Sequence, residues 1–181
     1  MYDQELPCQM LAAVGYYGFY TYYMQTGDIE TIMNIYDRVK RYIFDVWKPS
    51  KDGLVPMREG GWLWGDWGTN IDHEALQQCW YALAMKGFIE MARITDHQSD
   101  AVSAEQIYEN LKIAFNKRYW SARMQQYRTP GYKELPDDRV QALAVLAGFV
   151  PKERYETIRK FLKKHYQAST YMEKYVLEAL C

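Results

Sequence analysis

The sequence contains few residues of the types that build metal sites and disulfide frameworks. Its 181 residues include three cysteines and three histidines. An odd number of widely spaced cysteines argues against a disulfide framework. The histidines share no ligand spacing with one another or with a cysteine, so we predict no metal site. These six residues are Cys8, Cys79, Cys181, His73, His97 and His165.

The chain also lacks a strong charge of either sign and a long apolar run. Its formal net charge is −1 at pH 7, which gives no electrostatic reason to expect a nucleic acid or an anionic membrane as partner. No apolar run reaches the roughly 20 residues that a membrane-spanning helix needs. The first residues do not form a basic segment followed by an apolar one, so no signal peptide is visible and the compartment stays open.

The composition is typical of a single globular domain, which we expect to comprise residues 1–181. Hydrophobic residues make up 49% of the chain and charged residues 25%, both ordinary values for a folded domain. The 17 tyrosines are numerous for this length. Because a tyrosine ring is apolar with one polar end, they indicate either a wet cleft or helix interfaces with polar edges.

Residues 59–68 combine three tryptophans, four glycines and two carboxylates. Glycine is costly inside a helix, so the segment predicts a tightly folded loop. Its tryptophans, Trp62, Trp64 and Trp67, must face either a core or a flat apolar ligand, with Asp66 beside that surface. Aromatic faces next to a carboxylate suit a pyranose ring, whose C–H face stacks while its hydroxyls donate to the acid. The alternative is that the loop plugs its own core.

Apolar residues recur at helical spacing in seven segments, and no series with a period of two is present. We therefore predict an all-α fold. The first, third, fifth and seventh helices are predicted to be apolar on most sides, whereas the second, fourth and sixth carry one apolar stripe. This alternation is typical of inner and outer helices in stacked hairpins, and it puts the long loops on one rim. The predicted helices span residues 7–27, 29–47, 70–95, 101–120, 137–148, 151–166 and 171–180.

Three segments resemble a known family. The runs Glu5–Phe19, Gly60–Asp72 and Pro130–Gly148 are similar to the catalytic domain of α-L-rhamnosidase-like glycoside hydrolases, which is a six-hairpin α/α barrel. The resemblance covers essentially the whole chain, and Trp64-Gly-Asp-Trp67 is its most specific part. It implies a cleft on the long-loop rim that binds a terminal deoxysugar, inversion of configuration, a rhamnose-containing glycan or glycoside as partner, and no metal or organic cofactor.

By position, the resemblance places Trp67 in the sugar pocket, Asp66 as an acceptor for sugar hydroxyls, and Trp62 and Trp64 in the pocket wall. Tyr132, on the second long loop, is a further candidate for substrate binding. The carboxylates that could act in catalysis within this chain are Asp66, Glu59 and Glu134. Helix capping is the competing explanation for the other acids of the rim, which are Asp72, Glu74, Asp137 and Asp138.

The family's general acid and base lie in motifs that have no counterpart here, upstream of the region matching Glu5 and beyond the region matching Leu180. Seven helices also cannot close a twelve-helix toroid, so an apolar edge would stay open. We therefore expect the chain to be the central and later hairpins of such a domain, with self-association or further segments covering the edge.

Two other functions remain open. One is a catalytically silent carbohydrate-binding or scaffold piece. The other is a sugar epimerase or lyase, because α/α barrels host those reactions too. The second is disfavoured because His73 alone lies near the tryptophan loop, and epimerases usually need a pair of histidines.

Overall fold

The computed structural model describes residues 8, 10–57 and 64–181, so Glu59 and Trp62 lie outside the described residues. Within this part, eight α-helices and one short β-ladder form an all-α fold, as the hydrophobic pattern predicts. The helices are α1 (Met10–Val14), α2 (Thr21–Thr26), α3 (Ile29–Arg41), α4 (His73–Ile94), α5 (Gln98–Tyr119), α6 (Asp138–Leu146), α7 (Tyr155–Leu162) and α8 (Thr170–Leu180). Two π-helical turns, Tyr16–Tyr20 and Tyr42–Val46, a 3-10 turn, Lys152–Arg154, and the antiparallel strands β1 (Trp120–Ser121) and β2 (Gln126–Tyr127) complete it.

The first predicted helix is interrupted at Gly15, which differs from the continuous helix expected over residues 7–27. Gly15 crosses α4 at close range: a Cβ on Gly15 would lie 2.4 Å from Ala84 Cα, and one on Gly87 would lie 2.2 Å from Gly15 C. Such an approach is open only to residues without a side chain. The helix therefore breaks where its backbone rests on α4 and continues as the π-helical turn.

Helix α4 lies at the centre of the described part. All residues from Ala75 to Met85 are buried, and the helix contacts α1, α3, α5 and α6. Its lack of charge over this stretch reflects that position, because a helix buried on every side cannot carry solvated groups. No helix of the described ranges is long and apolar enough to cross a membrane.

The other helices divide as the stripes predict. Helix α3 buries Ile32, Tyr36 and Val39 on one face and turns its charged residues outward, and α7 buries only Ile158 and Leu162. Helix α6 packs against both α4 and α8. Helices α4, α6 and α8 thus form the inner layer, and α3, α5 and α7 lie outside it.

The inner helices begin at a common rim, where their N-terminal caps meet. Asp72 caps α4 by accepting a hydrogen bond from Ala75 N, so this helix begins at His73, three residues later than the predicted residue 70. Asp137 caps α6, and its Oδ2 also accepts the backbone N–H of Asp72 at 2.9 Å. Caps that bind one another fix the starts of neighbouring helices side by side.

Two buried glutamines anchor the long loops to the inner helices. Gln78 on α4 accepts the backbone N–H of Val55 at 2.8 Å and donates to its carbonyl at 2.8 Å. Gln141 on α6 does the same with Tyr127, at 2.8 and 2.7 Å. In each case the side-chain amide pairs with one backbone N–H and one backbone C=O, as a residue of a neighbouring β-strand would. The buried backbone groups of the loop residue therefore keep their hydrogen bonds.

Candidate active site

The centre of the rim is occupied by Arg139, the second residue of α6, whose side chain is 0% exposed. Its Nε donates to Asp137 Oδ1 at 2.7 Å and its Nη1 to Asp66 Oδ2 at 3.2 Å. Its Nη2 donates to the carbonyls of Thr69 and Asn70 at 3.2 and 3.0 Å. Although burial lowers the pKa of Arg139, the two carboxylates outweigh it and raise the pKa, so the guanidinium stays charged.

Asp66 connects the tryptophan loop to two inner helices. It is 3% exposed, and besides Arg139 it binds Ser169, the cap of α8. Asp66 Oδ2 accepts the backbone N–H of Ser169 at 2.8 Å, and its Oδ1 accepts the Ser169 hydroxyl. Both carboxylate oxygens therefore have donors within the protein, which favours a structural role for Asp66 at this position.

Asp72 makes the equivalent connection to the second long loop. Its Oδ2 accepts the backbone N–H of Thr129 at 2.6 Å, and its Oδ1 accepts the Thr129 hydroxyl at 2.5 Å. The Asp72 carboxylate also caps α4, and the Asp72 backbone N–H donates to Asp137, the cap of α6, so this one residue connects both long loops and two helices.

The aromatic residues of the first loop differ sharply in exposure. Trp67 is 68% exposed and contacts Trp64 edge to face, with ring centroids 5.6 Å apart. Trp64 is half-buried and packs against Tyr171 of α8 at 5.5 Å. The alternative in which the loop plugs its own core therefore does not describe Trp67, whose indole faces the outside next to a fixed wall.

Two polar atoms near this centre are buried and without a hydrogen-bond partner in the described structure: the Tyr132 hydroxyl and His73 Nδ1. Burial, together with the nearby Asp137 and Asp72, raises the pKa of Tyr132. Groups of this kind are costly unless something satisfies them. Both atoms lie near Asp72, so both are candidates for contact with a polar ligand. Because they are buried, such a contact requires neighbouring side chains at the rim to move.

Glu134 lies apart from the buried acids, on the second loop. It is exposed and lines a cleft of about 710 Å³ that Tyr132 and Thr129 also line. Because Thr129 is bound to Asp72, this cleft opens beside the rim centre. Glu134 and Asp66, two acids that the sequence offers as catalytic, therefore lie in different surroundings, one solvated and one sealed.

The chain matches the bacterial α-L-rhamnosidase six-hairpin glycosidase domain over residues 12–174. It belongs to this family. Its fold is similar to that in the crystal structure of a GH78 family rhamnosidase of Bacillus sp. GL1, with a TM-score of 0.73 and 19% sequence identity over 89% of this chain. The match covers 18% of that rhamnosidase. A comparison with curated proteins gave no match.

The sequence analysis did not identify Arg139, the residue at the centre of the rim of this six-hairpin glycosidase domain. Arg139 follows two acids in a short helix, a pattern that usually indicates a solvated helix start. The residues that follow Arg139 carry the signal that could have identified it. Val140, Gln141 and Leu143 are uncharged, which indicates a helix buried on all sides and therefore a buried Arg139. Ser169 and Thr129 carried no comparable signal.

The histidines do not form a pair at the rim of the domain. His97 lies beyond the C-terminal end of α4, the end opposite the rim, where its ring stacks on Tyr36 at 4.0 Å. His165 stacks on Phe161 at 4.1 Å. His73 is therefore without a histidine partner of the kind that an epimerase uses, in the part of the chain described by the structure.

His73 predicts a pH-dependent stability. Burial, and to a smaller degree Arg139, lowers the pKa of His73 from its ordinary 6.5, while Asp72 opposes the shift. Below pH 6.5 the unfolded chain therefore binds a proton that the folded chain does not, so stability falls as the pH drops from 7.5 to 5.5. We expect His73→Gln to reduce this fall in melting temperature.

Measurement of both proteins at pH 8, where the histidine is neutral in both states, isolates any loss of packing. A variant whose melting temperature keeps the full pH dependence of the wild type would show that other groups cause it.

Proposed function

We propose that the domain is part of a glycoside hydrolase that acts on a terminal deoxysugar, with an α-L-rhamnoside as the substrate and inversion of configuration. Membership of the glycosidase family supports the reaction class. The observation that carries the choice of site is Trp67, a large and exposed indole whose preceding residue, Asp66, is buried in the protein.

Trp67, Trp64 and Tyr171 form a continuous aromatic surface, and exposed apolar patches of this kind often mark ligand-binding sites. Trp67 cannot turn inward freely, because Asp66 is held by Arg139 and Ser169 and the ring itself rests on Trp64. A rigid aromatic face favours stacking because little side-chain freedom is lost on binding. The C–H face of a deoxysugar, which has one hydroxyl fewer than its parent, suits such a surface.

We place the general acid and base outside the described residues. An inverting hydrolase needs two carboxyl groups about 6.5 to 9.5 Å apart with room for a water. Asp66, Asp72 and Asp137 each bind buried donors, so using one of them in catalysis would release a helix cap or a loop. Of the acids put forward from the sequence, Glu134 has the exposure that a catalytic group needs, and Glu59 lies outside the described residues.

Trp67→Ala tests the sugar face. A stacked aromatic ring contributes about 0.5 to 1.5 kcal/mol of binding free energy. Its removal should therefore raise the Kd for an aryl α-L-rhamnoside about 2- to 13-fold. The melting temperature should stay within about 2 °C, because the ring is exposed. Titration followed by NMR, with a thermal melt of each protein, measures both.

Tyr155→Ala is the matched control, since Tyr155 is an aromatic residue that is 47% exposed at the start of α7, beyond the end of α6 that points away from the rim. It should leave both quantities unchanged. If Trp67→Ala binds the rhamnoside as tightly as the wild type, the proposed site is wrong.

A carbohydrate-binding piece without catalysis is the second candidate, and the engagement of the buried acids favours it. Release of nitrophenol from nitrophenyl α-L-rhamnoside tests whether catalysis occurs within this chain. Binding without release by this chain supports the silent piece or a site whose acid and base lie elsewhere, and release that Glu134→Gln abolishes supports catalysis within it.

A further inference from the structure

The cleft beside the rim is strongly cationic. Its lining includes Arg118, Arg123, Arg128 and Lys133 but a single carboxylate, Glu134. This concentration does not follow from composition, because the whole chain has a net charge of −1. A concave surface with cations on its walls focuses a positive potential into the enclosed volume.

Most of this charge is not neutralised inside the described structure. Arg118 is the exception, because its Nε and Nη2 donate to Glu74 Oε1 at 3.0 and 2.8 Å. Arg123 and Lys133 are exposed and take part in no ion pair among the described residues. Arg128 donates to neutral groups, the Tyr132 carbonyl and the Met124 sulfur, so its charge also stays unbalanced.

The same cleft has aromatic walls of the kind that contact sugar rings. Trp120 and Tyr132 line it, and the Arg128 guanidinium lies 5.5 Å from the Tyr132 ring centroid. Arg154 covers Trp120 at 4.1 Å and adds a further positive charge behind that wall. A ligand that carries both a ring and an anionic group would match the cleft better than a small ion or a neutral sugar.

The cleft also lies within reach of the sugar site. Thr129 lines the cleft, and its hydroxyl and backbone N–H bind Asp72 at the rim centre. A volume of about 710 Å³ is enough for one or two sugar residues beyond the terminal one.

We propose that this cleft binds a carboxylated sugar, a uronate, next to the terminal deoxysugar of the glycan. The inference rests on the proposed function for its placement along the substrate, but the anion site itself does not depend on it. Arginine forks match the planar carboxylate, and Lys133 adds a point charge. The domain would then select acidic glycans over neutral ones of the same linkage.

The test compares methyl β-D-glucuronide with methyl β-D-glucoside, which differ in the carboxylate alone, by NMR titration of the 181-residue chain at low salt. We expect the glucuronide to bind at least about tenfold more tightly, as one charge-assisted contact provides. The double variant Arg123→Gln, Lys133→Gln should lose that difference and leave glucoside binding unchanged. Both residues are exposed, so the variant should fold.

The matched control is Arg38→Gln, Lys160→Gln, which removes one arginine and one lysine from exposed positions on α3 and α7 that do not line the cleft. It should bind the glucuronide as the wild type does. Raising the salt to 0.5 M should weaken glucuronide binding alone. Equal binding of glucuronide and glucoside, loss of binding in the control variant, or inorganic phosphate binding as tightly as the glucuronide would each overturn the inference.

An aryl α-L-rhamnoside titrated in parallel separates this inference from the proposed function. Glucuronide preference without rhamnoside binding would keep the anionic cleft and reject the rhamnoside site. Rhamnoside binding without glucuronide preference would do the reverse.

Discussion

Replacing Arg139 by alanine is expected to lower the free energy of unfolding by about 3 to 5 kcal/mol. The change leaves the carboxylates of Asp66 and Asp137 buried without their counterion, and it removes the donors to two loop carbonyls. For a chain of this size that corresponds to a fall in melting temperature of about 6 to 20 °C. Thermal unfolding followed by circular dichroism measures it.

Arg159→Ala is the matched control, because Arg159 binds Glu156 on the surface at 2.8 Å with its side chain 46% exposed. Because both side chains of that pair are exposed to solvent, its loss should change the melting temperature little. Arg139→Lys keeps the charge but not the planar fork, so it should fall between the two. Similar small effects at residues 139 and 159 would mean that the buried network does not hold the rim together.

Gly87→Ala is expected to destabilise the fold by about 3 kcal/mol, the upper end of what overpacking usually costs. The added methyl group would lie 2.2 Å from the backbone of both Gly15 and Tyr16, and backbone atoms cannot rotate away. The sign of the change in the free energy of unfolding shows whether the close contact is present. In a helix without such a contact, glycine to alanine is stabilising by about 0.5 to 1 kcal/mol.

A comparison with Gly131→Ala shows whether the close crossing is the cause. Gly131 has a φ of 86° and open space around it, so an alanine there meets backbone strain alone, about 1 to 2 kcal/mol. The melting temperatures of the two variants should differ accordingly. An increase for Gly87→Ala would show that α4 and the first hairpin are farther apart than the structure has them.

The helices could be predicted from the sequence because their apolar positions follow from which face is buried. Ile32, Tyr36 and Val39 repeat at helical spacing, and α3 buries those positions. The break at Gly15 could not be predicted in this way. It arises from contact with a helix about 70 residues farther along the chain, and a run that is apolar on all sides carries no record of which backbone approaches which.

The site was predictable in its residue types but not in its contacts. The composition of residues 59–68 indicates a folded loop with aromatic faces, and Trp67 has the exposure that a ligand surface requires. The role of Asp66 depends on Arg139, 73 residues away. A carboxylate can bind a ligand, a helix N-terminus or a buried cation. Which of these donors lies within hydrogen-bond distance depends on the fold.

The glutamine anchors fix each long loop to the inner helices at a second point, away from the contacts at the rim. Val55 and Tyr127 are fixed to α4 and α6 by both of their backbone groups. Residues 56–71 and 128–136 connect each anchor to the next helix. The entropic cost of closing such a loop grows only slowly with the number of residues in it. Asp66 and Thr129 within these spans are themselves bound at the rim, so only insertions placed between such contacts would leave the helix packing untouched. The tryptophans of the first loop and two of the four cleft cations, Arg128 and Lys133, lie in these spans, so the residues proposed to contact sugar could change without a change in the core.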